Sequence, residues 1–264
     1  MKRKDFIKKA TFGGLSIGIL SCINTGSGKN TSPKINCDET PEAEEGPFPT
    51  KEPEKFISKN IVSDRVGTAL AIHIIIYNIN NNCKPLKNAV VDIWHCDHKG
   101  EYSEYGGSDS FGPPPNGRND MPPPPPNREN NKGKRPPPPP GGMGPMQTAD
   151  HTKEHFLRGR QQTNETGIAL FTSIYPGWYG GRSPHIHAHI FNEDGKSLLI
   201  SQIAFPENVS KEVYAQSVYA AKGQADTSNA DDHVFNDSIA NELATITGNL
   251  KDGFTLTHSI YVKA

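Results

Sequence analysis

Residues Phe171–Phe191 read F-T-S-I-Y-P-G-W-Y-G-G-R-S-P-H-I-H-A-H-I-F. The second half alternates, with His185, His187 and His189 spaced by two and Ile186, Ala188 and Ile190 between and after them. Successive side chains of a β-strand point to opposite faces, so the three imidazoles share one face and the apolar residues the other. Neutral imidazole is the commonest metal-binding side chain, and two held side by side on a rigid strand make half a coordination sphere. The competing reading is a polar sheet face with satisfied histidines. An H-x-H pair just after Tyr179 and Arg182 favours metal binding.

Working outward, the neighbouring segments also read as strands. Val66–Ile79 is apolar and β-branched, and a turn through I-N-N-N-C-K-P-L-K-N leads to a strand at Ala89–Trp94, a pattern that predicts a hairpin. His73 in the first of these reads as a core or rim histidine. Q-T-N-E-T-G-I-A-L-F-T-S-I is a turn followed by an alternating strand, and Leu198–Phe205 and Phe254–Val262 read as two more. Glu207–Ala221 carries Val209, Val213, Tyr214 and Val218 at helical spacing, which predicts about four helical turns. Many short strands with one late helix point to an all-β fold, an antiparallel β-sandwich. Residues 38–60, acidic and proline-bearing, read as an extended arm. Residues 112–145 hold three proline runs; proline cannot donate to a sheet ladder, so this is a long proline-rich surface insertion. With 33% hydrophobic residues in a chain of 264, the core is smaller than the length suggests.

A second stretch, Ala89–Tyr105, reads A-V-V-D-I-W-H-C-D-H-K-G-E-Y-S-E-Y. Together, W-H-C-D-x-x-G-x-Y-S and Y-P-G-W-Y-x-G-R-x-P-H-I-H resemble the signature of the intradiol ring-cleavage dioxygenases, the family of catechol 1,2-dioxygenase and protocatechuate 3,4-dioxygenase. E-G-P-F at Glu45–Phe48, C-K-P-L at Cys83–Leu86, F-L-R-G at Phe156–Gly159 and S-Q-I-A-F at Ser201–Phe205 extend the likeness in the same order, closest to the secreted single-chain branch. The resemblance implies one Fe(3+) per chain held by Tyr102, Tyr179, His185 and His187. It implies a catechol-type diol and dioxygen as substrates and a cis,cis-muconate-type product. Tyr179 would exchange a proton with the substrate, Arg182 would stabilise negative charge on it, and Gln202 would line its site. A phenol titrates near pH ~10 and binds metal only as phenolate, which suits a hard trivalent cation better than zinc. Asp92 and Asp97 lie nearby but read as solvent-facing or capping groups. Tyr105 lacks the match to G-x-Y-S, Tyr175 precedes the turn that presents Tyr179, and His189 reads as a packing residue beside the site. The alternative is a metal-binding β-sandwich surface lipoprotein without ring-cleavage activity.

The first 21 residues read as an export signal: a basic start, M-K-R-K-D-F-I-K-K, then an apolar run to Leu20 too short to span a membrane. I-L-S-C resembles a bacterial lipobox with Cys22 as the lipidated residue, followed by a polar tether over 22–40 and a domain over 41–264. R-K-D-F-I-K also resembles a twin-arginine signal with lysine in place of the second arginine. The expectation is an exported, membrane-anchored lipoprotein, with a soluble periplasmic protein as the alternative. Cys37, Cys83 and Cys96 then allow one disulfide and one thiol. Cys83 and Cys96 flank one strand, roughly 25 Å apart at strand rise, so Cys37 is expected to pair with one of them. A formal net charge of -1 excludes a nucleic-acid binder by charge.

Overall fold

The computed structural model describes residues 37–106 and 149–264. The expected leader, Cys22, the tether as far as residue 36 and the 112–145 insertion lie outside the described residues. Among the described residues nine strands form two sheets: β1 (Ala69–Asn78), β2 (Lys84–Pro85), β3 (Val90–Trp94), β4 (Arg158–Gln162), β5 (Ile168–Ile174), β6 (His185–Phe191), β7 (Ser197–Ala204), β8 (Thr245–Asn249) and β9 (Gly253–Val262). One sheet runs β2-β1-β9-β8, with β5 also paired to β1; the other runs β4-β3-β6-β7. All pairings are antiparallel except β1 with β9. The fold is the expected all-β sandwich.

Alternation places the core between the sheets. Leu70, Ile72, Ile74 and Ile76 of β1 and Phe254, Leu256, Ile260 and Val262 of β9 pack with Val91, Ile93, Ile186, Ala188, Ile190, Leu199 and Ile203 of the second sheet. Each fully buried Ile or Leu contributes about 1.5–3 kcal/mol. This layer holds the molecule together and leaves the far face of the second sheet for other use.

The predicted hairpin between the first two strands does not form. Strand β9 takes one edge of β1, and β5 and β2 share the other, so no edge is open to β3. Asn82 and Cys83 turn the chain with positive φ into β2, and Pro85, which has no N–H, ends that pairing after two residues. The chain then crosses to the second sheet, where β3 sits between β4 and β6.

The late helix is also broken. It divides into α1 (Glu207–Tyr214) and α2 (Ser217–Ala220), with Gln216 extended between them; a third short helix, α3, covers Ile239–Glu242. The break turns both Tyr214 and Tyr219 inward. The Tyr214 hydroxyl donates to the Pro176 carbonyl at 3.0 Å and the Tyr219 hydroxyl to that of Tyr175 at 2.7 Å, so the helices brace the loop that follows β5.

Cys37 pairs with Cys83, with Cα atoms 6.2 Å apart, and Cys96 is a buried free thiol. The bridge ties the 38–60 arm to the turn after β1. Its removal by Cys83→Ala is expected to lower unfolding stability by about 2–5 kcal/mol, since it closes a loop of some 46 residues. Urea midpoints of the two proteins check this; an unchanged midpoint would mean that the arm is held by other contacts.

Candidate metal centre

The histidines of β6 lie on the outer face of the second sheet, within a row set by strand register. Trp94 is opposite Arg158 on one side and His187 on the other, and His187 is opposite Gln202. One strand turn further along, the row is Arg160, Asp92, His189 and Ile200. Trp94 stacks flat on His187, with ring centroids 4.9 Å apart and planes 2° from parallel. The second row is structural. Asp92 takes two bonds of 2.6 Å from Arg160, and His189 stacks on Phe191 and meets Ser197.

Two loops and the arm cover the first row. The loop after β3 turns on Asp97, whose carboxylate accepts the N–H groups of Lys99 and Glu101 and so presents Tyr102. Arg158 then locks the next residue. Its Nε donates to Ser103 Oγ at 2.8 Å, its Nη2 to the Ser103 carbonyl at 2.6 Å, and its Nη1 to the Phe48 carbonyl at 2.9 Å. That gives the F-L-R-G motif its purpose: a buried guanidinium that ties the Tyr102 loop to the arm. Phe48 stacks on Tyr102 at 4.8 Å. The second loop, Tyr175–Pro184, carries Tyr179. It crosses the first where Gly177 N–H donates to the Asp97 carbonyl, an approach that a Cβ at Gly177 would block.

The result is a convergence of four polar atoms in a buried place. Tyr179 Oη lies 3.1 Å from His185 Nε2, and Tyr102 Oη lies 3.3 Å from His187 Nε2 and 3.5 Å from His185 Nε2. The two imidazole Nε2 atoms are 3.2 Å apart. Tyr102, Tyr179, His185 and His187 are each no more than 4% exposed. His185 Nδ1 donates to the Ser183 carbonyl at 2.6 Å, which leaves its Nε2 lone pair facing the cluster. Gly46, at φ +79°, comes so close to His187 that a Cβ would sit 2.9 Å from its Cε1.

Burial keeps all four groups neutral. It raises Tyr102 well above the ordinary phenol value and Tyr179 to about 12, with Arg182 pulling against the rise in both. His185 and His187 fall well below the usual imidazole value, first through burial and then through the charge of Arg182. Two imidazole Nε2 atoms 3.2 Å apart, with two phenols beside them, fit a shared cation: the spacing is that of atoms bound to one ion at about 2 Å. Among the described residues no group of three or more His, Cys, Asp or Glu could hold a metal, so the tyrosines have to complete this set. Phenolate oxygens favour a hard, highly charged ion.

The other sequence candidates fall where the pattern put them or nearby. Arg182 is buried beside the ligands and bonds Gln202 Oε1 through Nη2 at 2.5 Å. Tyr105 instead donates to the Pro49 carbonyl, and Tyr175 pairs with Ser210, away from the centre. Asp97 caps its turn as expected, whereas Asp92 is buried in an ion pair. Asp232, absent from the sequence reading, bonds both Arg182 and Ser183. It sits 50 residues beyond Arg182 in an irregular stretch, with no motif to mark it.

The chain is similar in structure to the intradiol ring-cleavage dioxygenase from Tetranychus urticae, with 29% identity over 86% of this chain and 95% of that one and a TM-score of 0.65. It shares its fold with the dioxygenase domain of a dioxygenase carbohydrate-binding protein fusion from Streptomyces sp. SirexAA-E, at 20% identity, 86% and 99% coverage and a TM-score of 0.54. No protein-family model and no curated protein matches the chain. The resemblance read from the motifs thus holds in three dimensions.

The histidines predict how the metal-free protein responds to acid. In the folded state His185 and His187 resist protonation, while in the unfolded chain each protonates near pH ~6.5. The unfolded state therefore gains protons first, and stability falls as the pH drops below that value. His95 and His258, both lowered to about 4, act in the same direction, and His151, raised by Glu154 and Glu101, opposes them. Urea unfolding at pH 7.5 and 5.5 measures the loss, and His187→Gln should reduce it. A metal-free protein that grew more stable on acidification would contradict the neutral, buried pair.

Proposed function

We propose that this chain is an iron(III)-dependent intradiol dioxygenase that cleaves a catechol-type ring between its two hydroxylated carbons. The observation that carries the reading is the convergence of Tyr102, Tyr179, His185 and His187, whose hydroxyl oxygens and Nε2 atoms each lie 3.1–3.5 Å from at least one other of the set. Dioxygen supplies two oxygen atoms, the carbon–carbon bond breaks, and the diol becomes a cis,cis-muconate-type diacid. Bound iron(III) would supply the acidity that turns two buried phenols into phenolates and the electron demand that makes a chelated catechol reactive toward dioxygen.

The residues divide the remaining work. His185 and His187 enter the site already neutral, so no proton has to leave them. Tyr102 is clamped by Phe48 and by the lock on Ser103, which suits a ligand that stays in place. Tyr179 is followed in its loop by Gly180 and Gly181, which suits one that swings and takes up a proton from the entering diol. Arg182 carries a permanent planar charge beside the imidazoles, where it can stabilise negative charge developing on the ring. Gln202 accepts from its Nη2 and so holds one end of the guanidinium.

We further propose that the protein is exported and anchored by lipid at Cys22. The Cys37–Cys83 bridge supports an oxidising compartment. Among the described residues no helix is long and apolar enough to cross a membrane, so an anchor would have to come from elsewhere.

Iron-loaded protein is expected to be burgundy from tyrosinate-to-iron(III) charge transfer and to consume oxygen with catechols; a zinc or empty site would be colourless. Arg182→Ala should retain the colour and lose about 10²–10³-fold in turnover. Tyr179→Phe should retain iron yet turn over slowly, while Tyr102→Phe should bind iron weakly. Full activity in both Arg182→Ala and Tyr179→Phe, with His185→Ala still iron-replete, would overturn the assignment.

A further inference from the structure

Arg182 owes its position to a residue far along the chain. Its Nε faces both carboxylate oxygens of Asp232, at 3.0 and 2.9 Å. Asp232 is fully buried and also accepts Ser183 N–H at 2.7 Å, Ser183 Oγ–H at 3.1 Å and Val234 N–H at 2.9 Å. These donors satisfy a carboxylate that burial would otherwise penalise heavily. Ser183 is the residue whose carbonyl orients His185, so one carboxylate reaches both the arginine and the turn into β6. The segment carrying Asp232 is itself fixed. Asn229 donates through its side chain to the Phe205 carbonyl at 2.9 Å and through its backbone to Glu207 at the start of α1. Phe235 completes the frame, its ring 5.8 Å from the guanidinium carbon.

Two consequences follow from the way the guanidinium is held. Its charge is partnered by a carboxylate, which offsets part of the field that the guanidinium places on His185. Its Nε edge and one Nη2 bond are committed, whereas among the described residues none accepts from Nη1. Planarity then fixes the direction of the two N–H groups on Nη1.

We propose that Asp232 is a positioning residue that holds Arg182 by its Nε edge and keeps the Nη1 end available for charge developing on the substrate. The claim about substrate rests on the dioxygenase reading; the claim about the guanidinium does not. The test is Asp232→Asn made in the wild-type and in the Arg182→Ala background. In the wild-type background turnover should fall about 10–100-fold, with KM for catechol and iron content little changed, as expected when a group acts in the transition state. In the Arg182→Ala background the same change should have no further effect on turnover. Equal losses in both backgrounds would make Asp232 a purely structural residue, and no loss in the wild-type background would remove it from the reaction. If Asp232→Asn does not fold, Asp232→Glu, which keeps the charge and displaces the carboxylate, takes its place with the same expectations. The metal-free protein gives a readout without activity: nitrogen-15 NMR of Arg182 Nε–H should find a protected, slowly exchanging proton that is lost in the Asp232 variants. A wild-type protein inactive on every catechol would sink the dioxygenase reading while the NMR comparison still decided the positioning claim, and an Nε–H that exchanged freely in the wild type would overturn it.

Discussion

Strand β6 separates two environments, and the rest of the structure depends on keeping them apart. Ile186, Ala188 and Ile190 close the core between the sheets, while His185 and His187 lie one residue out of phase on the opposite face. Neither face touches water freely. Imidazoles buried this deeply have to remain neutral, and a neutral imidazole keeps a ring-nitrogen lone pair that can bind a metal ion. The electrostatics of the place and its suitability for a metal are the same fact.

Burial on the outer face is achieved without a third sheet. Aromatic rings seal it: Trp94 lies flat on His187 and Phe48 on Tyr102. Polar locks at the back hold the sealing loops. Arg158 joins the Tyr102 loop to the arm, and Asp232 joins the Tyr179 loop to the segment between α2 and α3. Both are buried charges whose bonds run to backbone groups, hydroxyls or another charge, so each holds two distant segments in one geometry. The broken helix serves the same end, since Tyr214 and Tyr219 reach the two carbonyls at which the Tyr179 loop begins.

Much of this was legible in the sequence because it is local. The H-x-H alternation fixes a face, and the two motifs around Tyr102 and Tyr179 name the groups that meet there. Failures came where distance along the chain matters. The hairpin reading assumed that consecutive strands pair, but β9, from the far end of the chain, had already taken one edge of β1. The helical period over Glu207–Ala221 was real, yet Tyr214 and Tyr219 are both drawn inward, and a straight helix does not place them so. Asp232 left no mark at all. An aspartate in an irregular stretch acquires meaning only from what folds against it. The disulfide lay between these cases: strand length excluded Cys83 with Cys96, and only the fold chose Cys83 over Cys96 for Cys37.

Ring cleavage by this protein can be tested on the fate of oxygen atoms. Iron-loaded protein given a catechol under labelled dioxygen should yield an acyclic diacid carrying two labelled oxygen atoms, one in each carboxyl group, by mass spectrometry of product trapped at early times. A product labelled from water alone, one opened beside the hydroxylated carbons and carrying an aldehyde, or no ring opening with any catechol tried, would contradict the account.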